Sequence, residues 1–437
     1  MHDAAAESEP DPSTRRAETG DVVLLTFGSS GDLNPFLALG VELKRRGRRV
    51  TLISNTRYAD AAARHGFAFD GIGSVEEFDE FVNNPDAWHP SRGAKLVFGA
   101  VSRYADESYE KLLNHVGDDT TIVAGTLGMA GRVMHDAKGA RLVTVHLSPT
   151  CFRSHIQPPR LPGVPYLGWL PEKIRPAVLR HFWNGADRYV LDKHLSGVND
   201  LRERVGLERV EGIMGDHLHA PMRTLAMWPD WFAPAPPDYP EQARLVGFPL
   251  YDERQGAPMP PEVEAFLQAG APPIVFTPGS AMAHGRRFFK AAVAACEKLN
   301  ARGLLVSAFT QHLPSDLPPG VKAVSYAPFT ELLPRCRAIA HHGGIGTISQ
   351  ALAAGLPQLI MPMAHDQPDN AGRLRTLRVA ESIKPRKFTG GRVARSLRRL
   401  LSDETVARCR DVAGWIDRGE GIQAACDEIE LVADLPA

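Results

Sequence analysis

Residues 338–370 read AIAHHGGIGTISQALAAGLPQLIMPMAHDQPDN. The stretch 338–341 is a short apolar run of the kind a buried parallel strand makes, and residues 358–361 are a second. Between them the glycines at 343, 344 and 346 form a turn, and a helix is expected from near Gly346 and Thr347 to just before Gly355. Strand, glycine turn, helix and strand in that order form a βαβ unit and predict a parallel, doubly wound sheet. A helix N-terminus furnished with glycines and a hydroxyl is an anion site. The glycines let a diphosphate approach the backbone, and His342 can donate a hydrogen bond to it. Asp366 and Gln367 follow the second strand, where α/β sheets bind ligands. A carboxylate beside an amide suits the vicinal hydroxyls of a sugar.

The same pattern extends upstream. Strands are expected at 274–277, 304–308 and 323–326, with a tight turn at Pro278-Gly-Ser280 and a helix over 288–299. Residues 403–430 look like closing helices. A second βα series opens the chain: an apolar run at 21–27, the turn Gly28-Ser-Ser-Gly-Asp-Leu-Asn-Pro35, a helix ending near Gly47, and a strand at 50–54. Further strands fit 121–124 and 142–147, whereas 150–225 carries helical patterning. Prolines at 234, 236, 237, 240, 258, 260 and 261 exclude a helix or central strand there. The expected organisation is a disordered tail at 1–20, an N-terminal Rossmann-like domain at 21–228, a Pro-rich linker at 229–262 and a C-terminal Rossmann-like domain at 263–437. Two such domains face each other across a cleft.

Composition narrows the function. The chain has 437 residues, 43% hydrophobic and 23% charged, with a formal net charge of -1. That balance argues against a nucleic-acid partner. Cys151, Cys296, Cys336, Cys409 and Cys426 are widely spaced with no CxxC pair, which speaks against a zinc cluster or a disulfide framework and for a reducing cytoplasm. The first twenty residues lack the basic start and apolar run of a signal peptide, and no apolar stretch approaches membrane-spanning length. Membrane contact would therefore be peripheral, at the inner face. The oligomeric state is not legible.

The segment from Tyr326-Ala-Pro-Phe through Asp366-Gln367 resembles the donor-binding motif of family-1 glycosyltransferases, the UDP-glycosyltransferase superfamily with the GT-B fold. The resemblance implies that Tyr326 stands where a base-stacking Trp is usual. It puts His342, Gly344, Gly346 and Thr347 around the diphosphate, Gln350 where many members have a ribose-binding Glu, and Asp366 and Gln367 on the donor sugar. Phe276-Thr-Pro-Gly-Ser280 resembles a loop whose Ser280 adds a phosphate contact. The first loop looks like the acceptor-facing loop. Many members carry a catalytic His at the position of Ser30; others have Gly-Asp at Gly31-Asp32, and there the Asp is the candidate base. Leu147-Ser-Pro-Thr150, Pro229-Asp-Trp-Phe-Ala-Pro234, Gly247-Phe-Pro-Leu-Tyr-Asp252 and Ala364-His-Asp-Gln-Pro-Asp-Asn370 resemble the bacterial rhamnosyltransferases of rhamnolipid synthesis.

The resemblance implies an inverting hexosyl transfer from a dTDP- or UDP-sugar, as co-substrate, to a lipophilic hydroxyl acceptor. No Asp-x-Asp motif sits where a metal-bridged diphosphate needs one, so metal-independent transfer without a cofactor is expected. Asp32 is the expected base, with Ser30, Phe78, Trp88 and Phe152 facing the acceptor. Each residue has a plainer reading. Asp32 can cap the first helix. His146 can be packed, and the aromatics can build core. The C-terminal arginines 395, 398 and 399 can be a solvated helix face. A dehydrogenase is disfavoured, because Gly28-Ser-Ser-Gly31 lacks the GxGxxG spacing and no acidic residue ends the strand at 50–54. A non-catalytic binding protein would retain the donor loop but not depend on Asp32.

Overall fold

In the computed structural model, which describes residues 21–252, 258–279 and 285–435, every strand lies in one of two parallel sheets. The tail expected at 1–20 lies outside the described residues. The first sheet comprises β1 (Val22–Leu25), β2 (Val50–Asn55), β3 (Ala68–Ile72), β4 (Thr121–Gly125), β5 (Arg141–His146), β6 (Arg223–Ala226) and β7 (Ala243–Leu245), in the order β3-β2-β1-β4-β5-β6-β7. The second comprises β8 (Ile274–Thr277), β9 (Gly303–Val306), β10 (Val321–Val324), β11 (Ala338–His341), β12 (Gln358–Ile360) and β13 (Ala380–Ser382), in the order β10-β9-β8-β11-β12-β13. β1, β4, β5, β8 and β11 are buried along their whole length, because helices cover both faces. That is why they read as continuous apolar runs rather than alternating ones.

Each sheet reverses its winding beside its first strand, between β1 and β4 and between β8 and β11. Ligands of open parallel sheets bind beyond the strand ends at such switch points. The loops after β1, β8 and β11 carry Gly28–Ser29, Pro278–Gly279 and His342–Gly344. The fold therefore brings the singled-out loops to the right edge of each sheet.

The division of the chain differs from the expected one at two places. β7 lies within the stretch expected as a linker and completes the edge of the first sheet, pairing Ala226 with Leu245. The final helix, Glu420–Ala433, does not close the second domain but returns to the first. Its Ala425, Cys426, Ile429 and Val432 share a core with Leu24, Phe36, Leu43 and Leu225. Arg46 also donates to Asp427 (2.5 Å) and Glu430 (2.8 Å) on that helix. A separate apolar cluster runs through both halves, packing Phe152, Ala226 and Trp228 with Ile348, Leu352, Ile360 and Leu374.

Candidate functional site

The first helix spans Ser30–Arg45 and so begins before Pro35, the expected start. Ser29 is its N-cap and Asp32 its third residue, and the two form a reciprocal capping box. Asp32 Oδ2 accepts from the Ser29 amide (2.8 Å) and the Ser29 hydroxyl (3.1 Å). Burial pushes the Asp32 carboxyl above the usual carboxylate range, and the Ser29 bonds pull the other way. Gly28 makes this arrangement possible. Its φ is +122°, and a Cβ there would lie 2.3 Å from Asp32 Oδ2. Its carbonyl accepts from the Tyr58 hydroxyl (3.0 Å), and Phe78 packs edge-on against Tyr58 with ring centroids 5.8 Å apart. Ser30 is the first helical residue, partly exposed beside the loop.

Across the cleft, the helix Ile345–Ala353 starts at Gly344 with no side-chain cap, which leaves its first amides to a ligand or water. Gly346 and Thr347 lie in this first turn. The His342 ring is held between two glycines: a Cβ on Gly279 would lie 2.7 Å from it, and one on Gly344 2.4 Å. Its Nδ1 is buried without a hydrogen-bond partner. Burial, with the nearby His365, lowers the ring to about 4, so it is neutral at pH 7.

Asp366 N-caps the helix Gln367–Thr376, and its Oδ2 accepts from Asn370 Nδ2 (2.7 Å), which also donates to the Gly343 carbonyl (3.0 Å). Asn370 thus ties the loop after β12 to the glycine loop. Burial raises Asp366 to about 7; the Asn370 bond opposes this and the charge of Asp32 adds to it. The two carboxylates therefore sense each other across one cleft. The Cys151 thiol senses both: burial pushes it up to about 11, the Thr126 bond opposes, and Asp366 and Asp32 add to the rise. Gln367 is buried, and its Oε1 accepts from the Met363 (2.8 Å) and Ala364 (3.3 Å) amides, so only its amide nitrogen remains for a hydroxyl.

Tyr326 donates its hydroxyl to Asp252 Oδ1 (3.0 Å), and Gln350 Nε2 donates to the Tyr251 carbonyl (3.0 Å). His365, at φ +56°, hydrogen bonds through Nε2 to the Ala87 carbonyl (3.0 Å), and Trp88 lies edge-on to it. Trp88 therefore joins the first domain to the loop after β12.

One expectation fails, and the packed reading of His146 holds. Phe152 is 1% exposed and stacked between His219 (4.7 Å) and Tyr239 (4.3 Å), so it is core and not acceptor surface. The run that contains it reads as cleft-facing because its packing partners come from sequence-distant strand ends. His146 is likewise fully buried, bonded to Thr126 Oγ1 (2.9 Å) and His219 Nδ1 (3.0 Å). Ser280 lies outside the described residues. Sequence reading missed Asp252 and Asn370, although both stand in quoted motifs; their side chains matter only through neighbours that the fold supplies. Among the described residues no group of three or more His, Cys, Asp or Glu could hold a metal ion, and no helix is long and apolar enough to cross a membrane.

Comparison with known proteins points in one direction. Residues 22–145 match the glycosyltransferase family 28 N-terminal domain, and residues 303–413 match the erythromycin biosynthesis protein CIII-like C-terminal domain. The chain is 28% identical over 437 aligned residues to the O-mycaminosyltylonolide 6-deoxyallosyltransferase of Streptomyces fradiae, covering 94% of this chain and 97% of the relative. It is 29% identical to glycosyltransferase GtfC of Amycolatopsis orientalis, covering 92% and 95%. The crystal structure of the glycotransferase of kitacinnamycin superposes with a TM-score of 0.73 at 22% identity, covering 95% of this chain and all of that one.

Proposed function

We propose that this chain, a glycosyltransferase with the GT-B fold, moves a hexose from a nucleoside-diphosphate sugar to a hydroxyl of a lipophilic small molecule, with rhamnose from dTDP-rhamnose as the donor and a 3-hydroxyalkanoyl lipid as the acceptor. The observation that carries the reading is that Asn370 ties Asp366 to the glycine loop at the uncapped helix, with Asp32 of the first loop near enough for its charge to raise the Asp366 carboxyl. Asp32 takes the proton of the acceptor hydroxyl. The freed oxygen attacks the anomeric carbon as its bond to the diphosphate breaks, inverting that centre. The departing charge meets amides of the Gly344–Thr347 turn and His342, preorganised donors of the kind that stabilise a leaving anion. The raised pKa of Asp32 brings it nearer the operating pH, where a general base works best.

A second reading is favoured by the Streptomyces fradiae relative, whose name gives a 6-deoxyhexose and a tylonolide acceptor. It places a polyketide or similar natural product in the cleft, with a deoxyhexosyl donor or UDP-glucose.

The test is turnover of dTDP-rhamnose and UDP-glucose by purified protein, each offered with a 3-hydroxyalkanoyl lipid, a macrolide aglycone and a flavonoid, with and without EDTA. Rhamnosylated lipid formed equally well in EDTA supports the first reading and its metal independence. Sugar transfer confined to the macrolide or flavonoid replaces it with the second.

A further inference from the structure

We propose that Asp252 is a donor-binding residue, whose free carboxylate oxygen acts with the side-chain carbonyl of Gln350 to receive the pentose hydroxyls of the nucleotide. This rests on the reading of the second domain as the nucleotide-sugar site. Asp252 belongs to the segment that leaves β7, and it is 9% exposed. Its Oδ1 is engaged by the Tyr326 hydroxyl (3.0 Å), while its Oδ2 is buried with no hydrogen-bond partner. Gln350 repeats the pattern one peptide away. Its Nε2 is tied to the Tyr251 carbonyl (3.0 Å), and its Oε1 is buried with no partner.

Buried acceptors without donors are costly, and native proteins rarely leave them unsatisfied. Neither group can turn to find a partner without breaking the bond at its other end. What the pair lacks is hydroxyl donors, and the position says which ones. Gln350 lies on the same helix as Thr347, one turn beyond the amides that face the diphosphate. Tyr326 is bonded to the other oxygen of Asp252. Diphosphate, pentose and base follow one another in a nucleotide in the same order as the Gly344–Thr347 turn, the Gln350–Asp252 pair and Tyr326. The sequence has an amide at 350, and Asp252 supplies the charged acceptor that this amide does not.

Calorimetric titration of wild type and Asp252→Asn with dTDP, 3′-deoxy-dTDP, UDP and dUDP tests the assignment. In wild type, deleting the hydroxyl that Asp252 receives should weaken binding about tenfold or more, as expected for a hydrogen bond to a charged group. In Asp252→Asn that penalty should shrink to about twofold or less, with dTDP itself bound about tenfold more weakly. A 3′-hydroxyl penalty equal in both proteins, seen as a variant weakened equally toward dTDP and 3′-deoxy-dTDP, would overturn the proposal; UDP against dUDP is the control for the 2′ hydroxyl. Should Asp252→Asn not fold, Gln350→Leu gives the same readout through the other acceptor. Binding of dTDP to wild type and variant alike sinks this inference alone, whereas absence of any nucleotide binding to wild type sinks the donor-site reading as well.

Discussion

Asp32 caps the first helix, and the proposed reaction gives the same side chain a chemical task. The Ser29 bonds orient Oδ2, and burial raises its proton affinity. Asp32→Asn keeps the shape and removes the base, so kcat should fall ~10²–10⁴-fold while nucleoside-diphosphate affinity stays near wild type; steady-state kinetics beside calorimetry check this, and unchanged kcat would leave only the capping role. Asp366 offers a pH signature. Its carboxyl binds a proton more tightly in the native state, up to about 7, than the ordinary value of 3.8. The stability that follows is full below ~4 and is lost as pH climbs toward 7. Asp366→Asn keeps no such dependence, so its melting temperature relative to wild type should rise between pH 4 and 8. A difference that stays flat across that range would refute the shifted pKa. At this scale the sequence names both aspartates, since their motifs are local. It does not name Asp252, because an unpaired oxygen exists only relative to Tyr326 and Gln350.

The helix Ile345–Ala353 shows what one element contributes. Its N-cap is glycine, so no side chain competes with a ligand for the first amides, and the same residue leaves room for the His342 ring. Gly344→Ala puts a methyl 2.4 Å from His342 Nε2 and should expel the ring. Affinity for dTDP should drop at least several-fold with little change in melting temperature, which titration and thermal denaturation measure together. The first helix is the contrast: it is fully capped by Ser29 and Asp32. Ser29→Ala should cost about 1 kcal/mol in stability by denaturant unfolding and should lower activity too, since Asp32 loses an orienting bond. Strand existence was legible for β1, β2, β4, β5, β8, β9, β10, β11 and β12. β3, β6, β7 and β13 were not read, because they are short, partly exposed or edge strands with little apolar periodicity.

At the scale of the molecule, the chain is laced rather than strung. It passes from the first sheet to the second and then returns as the Glu420–Ala433 helix. Arg46 anchors that return through Glu42 (2.8 Å), Asp427 and Glu430. Its side chain is largely buried, so Arg46→Ala should destabilise the protein by about 1–3 kcal/mol, more than an exposed ion pair would. Chemical denaturation of the full chain measures it, and a loss within ~0.5 kcal/mol would mean that the helix docks by apolar packing alone. The cluster joining Phe152 and Trp228 to Ile348 and Leu352 also ties the two halves together.

The sequence by itself determined the two-sheet architecture, the glycine turn at the helix start and the loops that carry Asp32 and Asp366, because strand burial, glycine turns and helix starts are written in neighbouring residues. Only the tertiary structure decided that Phe152 and His146 are core, that Trp88 meets His365, that the last helix belongs with the first sheet, and that Tyr326 bonds Asp252 while Gln350 bonds the carbonyl before it. Those facts depend on which distant segments share a surface. No local pattern encodes that choice, since the apolar and polar groups involved find partners only when the sheets close on each other.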